Sequence, residues 1–285
     1  MPFALTATGL QIAVLIVLGE FLIAVSAGHI ARAVAWPRDH FFVLANLLEF
    51  SAIAAVLFGV RPLRQYVQDE LSRPIPRAMR SEVLLVAVLK PAIAFGVIGA
   101  LALYHMALWP QADLARELGL TTNPAAANER FYSAIGLAHA ILIGLIAAPV
   151  LEEILYRGIV YRAFERQWGW VSAMLATSAL FGALHPSHVG TAFLGSMVYV
   201  CLLRRSGTLW APILAHCLYN LLVSWPVLGH VLLARPRGEG AALSDWTPEL
   251  LCLAVAAIGV PLYLWLARRP REEFPETVVL TAAGR

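Results

Sequence analysis

The feature that most restricts this chain is a succession of apolar runs, each close in length to the hydrocarbon core of a bilayer. About 20 apolar residues in helical form cross that core. Runs of this kind lie at about 10–34, 41–60, 83–108, 131–156, 170–185, 190–203, 209–233 and 249–267. The expected fold class is an all-α integral membrane protein with about eight transmembrane helices. Composition agrees, with 60% of residues hydrophobic and 14% charged, against about 45–50% and about 25% in an average soluble domain. The longest polar stretches, 61–82 and 111–130, are about 20 residues each, too short for a separate core. Residues 1–285 are therefore read as a single polytopic membrane domain, with 61–82 as a cytoplasmic linker containing one amphipathic turn.

Arginine placement sets the expected orientation, because cytoplasmic loops carry the Lys/Arg excess. With the N-terminus inside, fourteen arginines fall on cytoplasmic segments and six on the opposite side. Both termini are therefore expected in the cytoplasm. Residues 1–9 lack the positive segment of a signal peptide, so the run broken by Glu20 is read as a first span. The net charge of +3 is too small and too dispersed for a nucleic-acid surface. Cys201, Cys217 and Cys252 lie in apolar segments without metal-ligand spacing and are expected to pack. Tryptophans such as Trp109, Trp168 and Trp210 sit near span ends, as an interfacial belt would.

Charges inside these runs need a reason, since an ionisable group in a span is costly and marks a candidate site. Glu152, Glu153 and Arg157 close the run that begins at Phe131. On a helix Glu153 and Arg157 share a face, whereas Glu152 lies about 100° round. Glu153 is thus expected to pair with Arg157, leaving Glu152 for other neighbours; a plain interfacial charge cluster is the alternative. Next comes Phe181-Gly182-Ala183-Leu184-His185-Pro186. A residue before proline is pushed out of helical geometry, so the fifth helix is expected to stop at His185. The fifth and sixth runs are short and separated only by Pro186-Ser187-His188-Val189, which predicts a tight hairpin. With Gly169 as the preceding turn, Glu153 and His185 stand 16 residues to either side, at equal depths of about 24 Å. His216 and Asn220, four apart, present one face of the seventh helix. They enter from the same side at about 14 and 20 Å from Gly207. Glu20 and Glu49 are further intramembrane carboxylates without an assigned role.

The set Glu152-Glu153-x-x-x-Arg157, Phe181-x-x-x-His185 and His216-x-x-x-Asn220 resembles the three ordered motifs of the CPBP family. These are intramembrane glutamic endopeptidases that include type II CAAX prenyl proteases and Abi proteins of bacteriocin processing and self-immunity. The resemblance covers about residues 130–230, the expected catalytic core. It implies an eight-helix fold around an intramembrane polar cavity, metal-independent peptide hydrolysis, and a membrane-anchored or lipidated protein or peptide as substrate.

Hydrolysis by water needs a base, donors for the oxyanion and an acid for the leaving amine. Glu152 is the expected base, matching the family's activating glutamate and not committed to Arg157. His185 is expected to share its water, and His216 and Asn220 to stabilise the oxyanion, with Glu153, Arg157 and Phe181 supporting. One Glu and two His could alternatively hold zinc, but HExxH is absent and no cofactor or metal is expected. Ser196 lacks a nucleophile context and is read as a small packing residue. A non-catalytic transporter or immunity factor is the alternative class, though no inverted repeat is visible. The arginine-over-lysine bias points to a bacterial inner membrane, and the substrate's identity stays open.

Overall fold

In the computed structural model the described residues are 38–108, 134–186, 188–224 and 243–269, with isolated positions between 11 and 22. Every regular element among them is helical. The first expected span with Glu20, the polar stretch 111–130, the end of the seventh run and the C-terminal tail lie outside the described residues.

Helix α1 (Arg38–Gly59) is followed after one residue by α2 (Arg61–Leu71), the two axes meeting at 94°. Pro62 opens α2, where a missing N–H costs nothing. Leu63, Tyr66, Val67 and Leu71 give it one apolar stripe, and Val67 and Glu70 are buried. The stretch expected to be a linker is therefore in large part a docked helix. Three side-chain bonds fasten this region: Tyr66 donates to the Gly158 carbonyl at 2.6 Å, Trp210 Nε1 to Leu71 at 2.7 Å and Thr208 to Arg73 at 2.6 Å.

Helix α3 (Arg80–Leu108) carries Pro91 within it and packs against α8 (Thr247–Leu266). The approach is close because Gly96 and Gly99 present bare backbone, as small residues do at membrane helix contacts. A Cβ at Gly99 would stand 2.6 Å from the Glu249 carbonyl oxygen, and one at Gly96 2.9 Å from the Leu253 Cα. Opposite that seam, Leu84, Leu85 and Val88 on α3 and Leu251, Val255, Ile258 and Leu262 on α8 are more than half exposed. Apolar stripes of this extent suit lipid.

The chain from 134 to 183 forms α4 (134–168) and α5 (170–183), separated by Gly169 at φ 73° and ψ 167°. That backbone region is open essentially to glycine alone, and here it reverses the chain. Arg157 and Phe181, each 12 residues from Gly169, meet with the guanidinium 4.6 Å from the ring centre. Within α4, two π-helical stretches, Ala140–Ala147 and Glu153–Tyr161, flank the five-residue α-helical segment Ala148–Glu152. Helix α6 (Val189–Ser206) then packs on α5, and Gly207, in the left-handed region at φ 71°, closes it. Helix α7 (Trp210–Ser224) follows. All six residues from Val198 to Leu203 are fully buried, so α6 is the helix around which the others assemble.

By length and apolarity three of the described helical stretches can cross a membrane: Arg77–Leu108, Gly136–Ala183 and Ser244–Leu266. The bent pair α1–α2 makes four at most. Gly136–Ala183 contains the Gly169 reversal and so unites the expected fourth and fifth runs. Helix α6, 18 residues long, ends in Arg204, Arg205 and Ser206, which leaves its apolar part shorter than a full span. The chain is an integral membrane protein, helical throughout its described residues, three or four stretches of which are long and apolar enough to span.

Arginines tie one end of the bundle together. Arg205 of α6 pairs with Glu82 of α3, which also accepts from the Tyr263 hydroxyl of α8 at 2.9 Å. Arg204 reaches Glu165 at 2.7 Å, and Tyr161 donates to the same carboxylate at 2.6 Å.

Gly99→Ala is expected to lower stability by about 1–3 kcal/mol, the usual cost of overpacking. It would be read as a lower thermal unfolding midpoint in detergent. Gly59→Ala, where a Cβ meets open space, should shift stability by less than about 0.5 kcal/mol.

Candidate active site

Glu153 and Arg157 are both completely buried on α4. Glu153 Oε2 lies 3.1 Å from Arg157 Nε, a charge contact without hydrogen-bond alignment. Its other oxygen, Oε1, accepts from His216 Nδ1 at 2.8 Å. The guanidinium lies 4.6 Å from the Phe181 ring centre and 5.3 Å from that of Tyr199. A planar, weakly hydrated cation between two aromatic faces is the form in which a buried positive charge is best tolerated. The expected Glu153–Arg157 pair is thus one side of a three-way junction that also includes His216 and joins α4 to α7.

Each imidazole is fixed by what its Nδ1 meets. A carboxylate and a carbonyl can only accept, so the Nδ1 atoms of His216 and His185 carry protons. His185 Nδ1 donates to the Phe181 carbonyl at 2.7 Å. That carbonyl is available because α5 ends at Ala183 and the His185 N–H turns instead to Gly182 at 3.0 Å. The last carbonyls of any helix need such partners. The His185 ring also packs on Phe181 at 4.3 Å and against His188 at 5.2 Å. In these tautomers each Nε2 holds a lone pair. His216 therefore donates to an oxyanion only as imidazolium, which qualifies the role expected of it.

Asn220 has a local cause of its own. In the first π-helical stretch the Ala148 N–H bonds to the Ile143 carbonyl, and Pro149 has no N–H to offer. The Gly144 carbonyl thus loses both of its helical donors, and Asn220 Nδ2 donates to it at 2.7 Å. One N–H of the Asn220 amide is committed there and the other is not required by that bond.

Glu152 takes the direction the helical offset predicts. It is half-buried and lines a cavity of about 1010 Å³ together with His185, His216 and Asn220. Glu153 and Arg157 do not reach that wall. The four residues expected to carry chemistry therefore share one space, Phe181 lines it with them, and the other two expected supports, Glu153 and Arg157, stand behind it. The cavity wall also holds Asn46, Glu49, Lys90, Tyr199 and Tyr219. Glu49 thereby gains a location. Lys90 was detectable in the sequence as the single lysine, set within an apolar run; nothing in the sequence aims it at the acidic pair. Among the described residues, no group of three His, Cys, Asp or Glu side chains is placed to hold a metal ion.

Residues 134–222, the segment that contains all three motifs, match the family model described as type II CAAX prenyl endopeptidase Rce1-like. A curated Bacillus subtilis (strain 168) protein named "Putative membrane peptidase YdiL" is 31% identical over 85 residues, 29% of this chain and 35% of that relative. The match thus spans about a third of the relative's length. No solved structure matches. Both similarities fall on the segment that carries the three motifs, and both are to proteins described as membrane or CAAX-type peptidases.

Removing one member of a buried ion pair leaves the other uncompensated, typically at a cost of 3–5 kcal/mol. Arg157→Ala is expected to lose about that much, seen as a large fall in the unfolding midpoint in detergent. Arg157→Lys should fall between, because a compact ammonium does not cover both rings.

Proposed function

We propose that the chain is an intramembrane glutamate-dependent endopeptidase acting on a membrane-anchored or lipidated protein or peptide near its C-terminus or anchor. The observation that carries this reading is the convergence of Glu152 with two Nδ1-anchored imidazoles and Asn220 on one cavity wall. The family relationship supports the peptidase class. The finer expectations belong to the same proposal: one polytopic domain over 1–285 with a catalytic core at 130–230, eight spans, both termini cytoplasmic and a bacterial inner membrane. So does catalysis without a cofactor.

Glu152 takes a proton from water as the water oxygen bonds to the scissile carbonyl carbon. The carbonyl π pair moves to oxygen and gives a tetrahedral oxyanion. The lone pair on His185 Nε2 accepts a hydrogen bond from the same water and fixes its orientation. The remaining N–H of Asn220 donates to the oxyanion. When the C–N bond breaks, the amine leaves with the proton first taken by Glu152, and the products are a carboxylic acid and an amine. Glu153 holds the His216 tautomer and is itself held by Arg157, so its contribution is placement. A partner of this kind sets imidazole orientation without reacting.

Glu152→Gln preserves shape and removes the base. Wild-type and Glu152→Gln proteins are to be expressed, and membrane-associated peptides collected for C-terminal sequencing. New C-termini should appear only with the wild type, with the variant reduced at least about 100-fold at unchanged folding. Identical C-termini from both proteins would overturn the reading.

A further inference from the structure

The mechanism above is rich in acceptors and short of donors. Glu152 and two imidazole Nε2 atoms accept, whereas of the groups so far assigned only one amide N–H of Asn220 faces the developing negative charge. The wall holds one more group suited to that charge. Lys90 of α3 is only 3% exposed, and it is the one lysine or arginine among the described residues that line the cavity. Its Nζ donates to the Thr191 carbonyl at 2.9 Å and stands 4.6 Å from the Tyr219 ring centre and 5.9 Å from that of Tyr199. An ammonium carries three donors, and the carbonyl takes one.

Two further observations mark this place. Gly195 of α6 has the lysine lying directly on it: a Cβ there would be 1.9 Å from Lys90 Cε and 2.1 Å from Nζ. The missing side chain is what admits the ammonium between α3 and α6. Tyr199, one helical turn further along α6 and also on the wall, buries its hydroxyl with no hydrogen-bond partner among the described residues. A buried unpaired hydroxyl is costly, and a polar ligand beside it removes the cost. Lys90 is also close enough to Arg157, Glu153, Glu152, His185 and His216 for their charges to interact.

We propose that Lys90 is a further catalytic residue of this site, its ammonium donating to the oxyanion formed when water adds to the scissile carbonyl. The inference rests on the peptidase reading. Arg157 cannot serve in its place, being behind the wall and matched to Glu153. In the step concerned, the new C–O bond puts one negative charge on the former carbonyl oxygen. Lys90 hydrogen-bonds to that oxygen without giving up its proton, and the bond weakens when the oxygen re-forms its double bond and the amine leaves. A cation held in advance in a water-poor cavity stabilises such charge at no cost of reorientation.

The probe is an internally quenched synthetic peptide with the sequence of the cleavage that the wild type makes and Glu152→Gln does not, assayed in proteoliposomes. Lys90→Met keeps length and apolarity and removes the charge. Its kcat is expected to fall about 100- to 1,000-fold, as on losing one oxyanion donor, with KM within about threefold and an unchanged unfolding midpoint. Full kcat would overturn the inference. So would a rise in KM with kcat retained, which would make Lys90 an anchor for a substrate carboxylate rather than for the transition state. Should Lys90→Met fail to fold, Gly195→Ala decides, because the methyl group displaces only the end of a flexible lysine: a large loss of kcat in folded protein supports the proposal and full kcat overturns it. Absence of any cleavage that depends on Glu152 would instead sink the peptidase reading and this inference with it.

Discussion

The Glu153 carboxylate is the interaction on which the rest of the site depends. Its two oxygens are claimed by different elements, Arg157 one turn along α4 and His216 on α7. All of this lies where water is excluded, so neither charge can be left over. A carboxylate in that position is not a surplus beside Glu152; it sets the distance between two helices and the proton position on an imidazole. The aromatic rings of Phe181 and Tyr199 on either side of Arg157 bring α5 and α6 into the same arrangement. Four helices are thus registered on one buried charge pair.

Around that pair the backbone departs from the ordinary helix wherever a functional side chain is seated. The π-helical stretches of α4 lie on both sides of Ala148–Glu152, and in each a glycine carbonyl is taken by a side chain from elsewhere, Gly144 by Asn220 and Gly158 by Tyr66. Wide turns of this kind recur at functional positions. The end of α5 works similarly, since the proline that stops the helix yields the carbonyl that orients His185. Irregular backbone at membrane depth survives only where protein or a cavity satisfies it. Here the groups that satisfy it are largely those of the candidate site.

Much of this was legible in sequence. Apolar runs located the helices, and Gly169, read as the turn between the fourth and fifth runs, marks the reversal that brings Arg157 onto Phe181. The i, i+4 spacing of Glu153 and Arg157 gave their contact, and the 100° offset of Glu152 gave its separate direction. What could not be read depends on contacts between distant elements. That His216 bonds to Glu153 follows from how α7 rotates against α4, and that Asn220 finds Gly144 follows from a π-helical register no spacing rule reports. Helix α2 was read as linker because its mean polarity hides the stripe of Leu63, Tyr66, Val67 and Leu71. Lys90 was visible as an isolated charge, but its neighbours come from α6 and α7.

That last separation bears on how the protein is made. The carbonyl that receives the Lys90 ammonium lies 101 residues further along the chain, and Tyr219 further still. During synthesis α3 leaves the ribosome with a lysine in its middle, while the carbonyl on α6 and the ring on α7 that receive its ammonium follow only later. A charge in that state resists lateral release into lipid. The feature that equips the cavity with a cation also makes the order of membrane integration part of the folding problem.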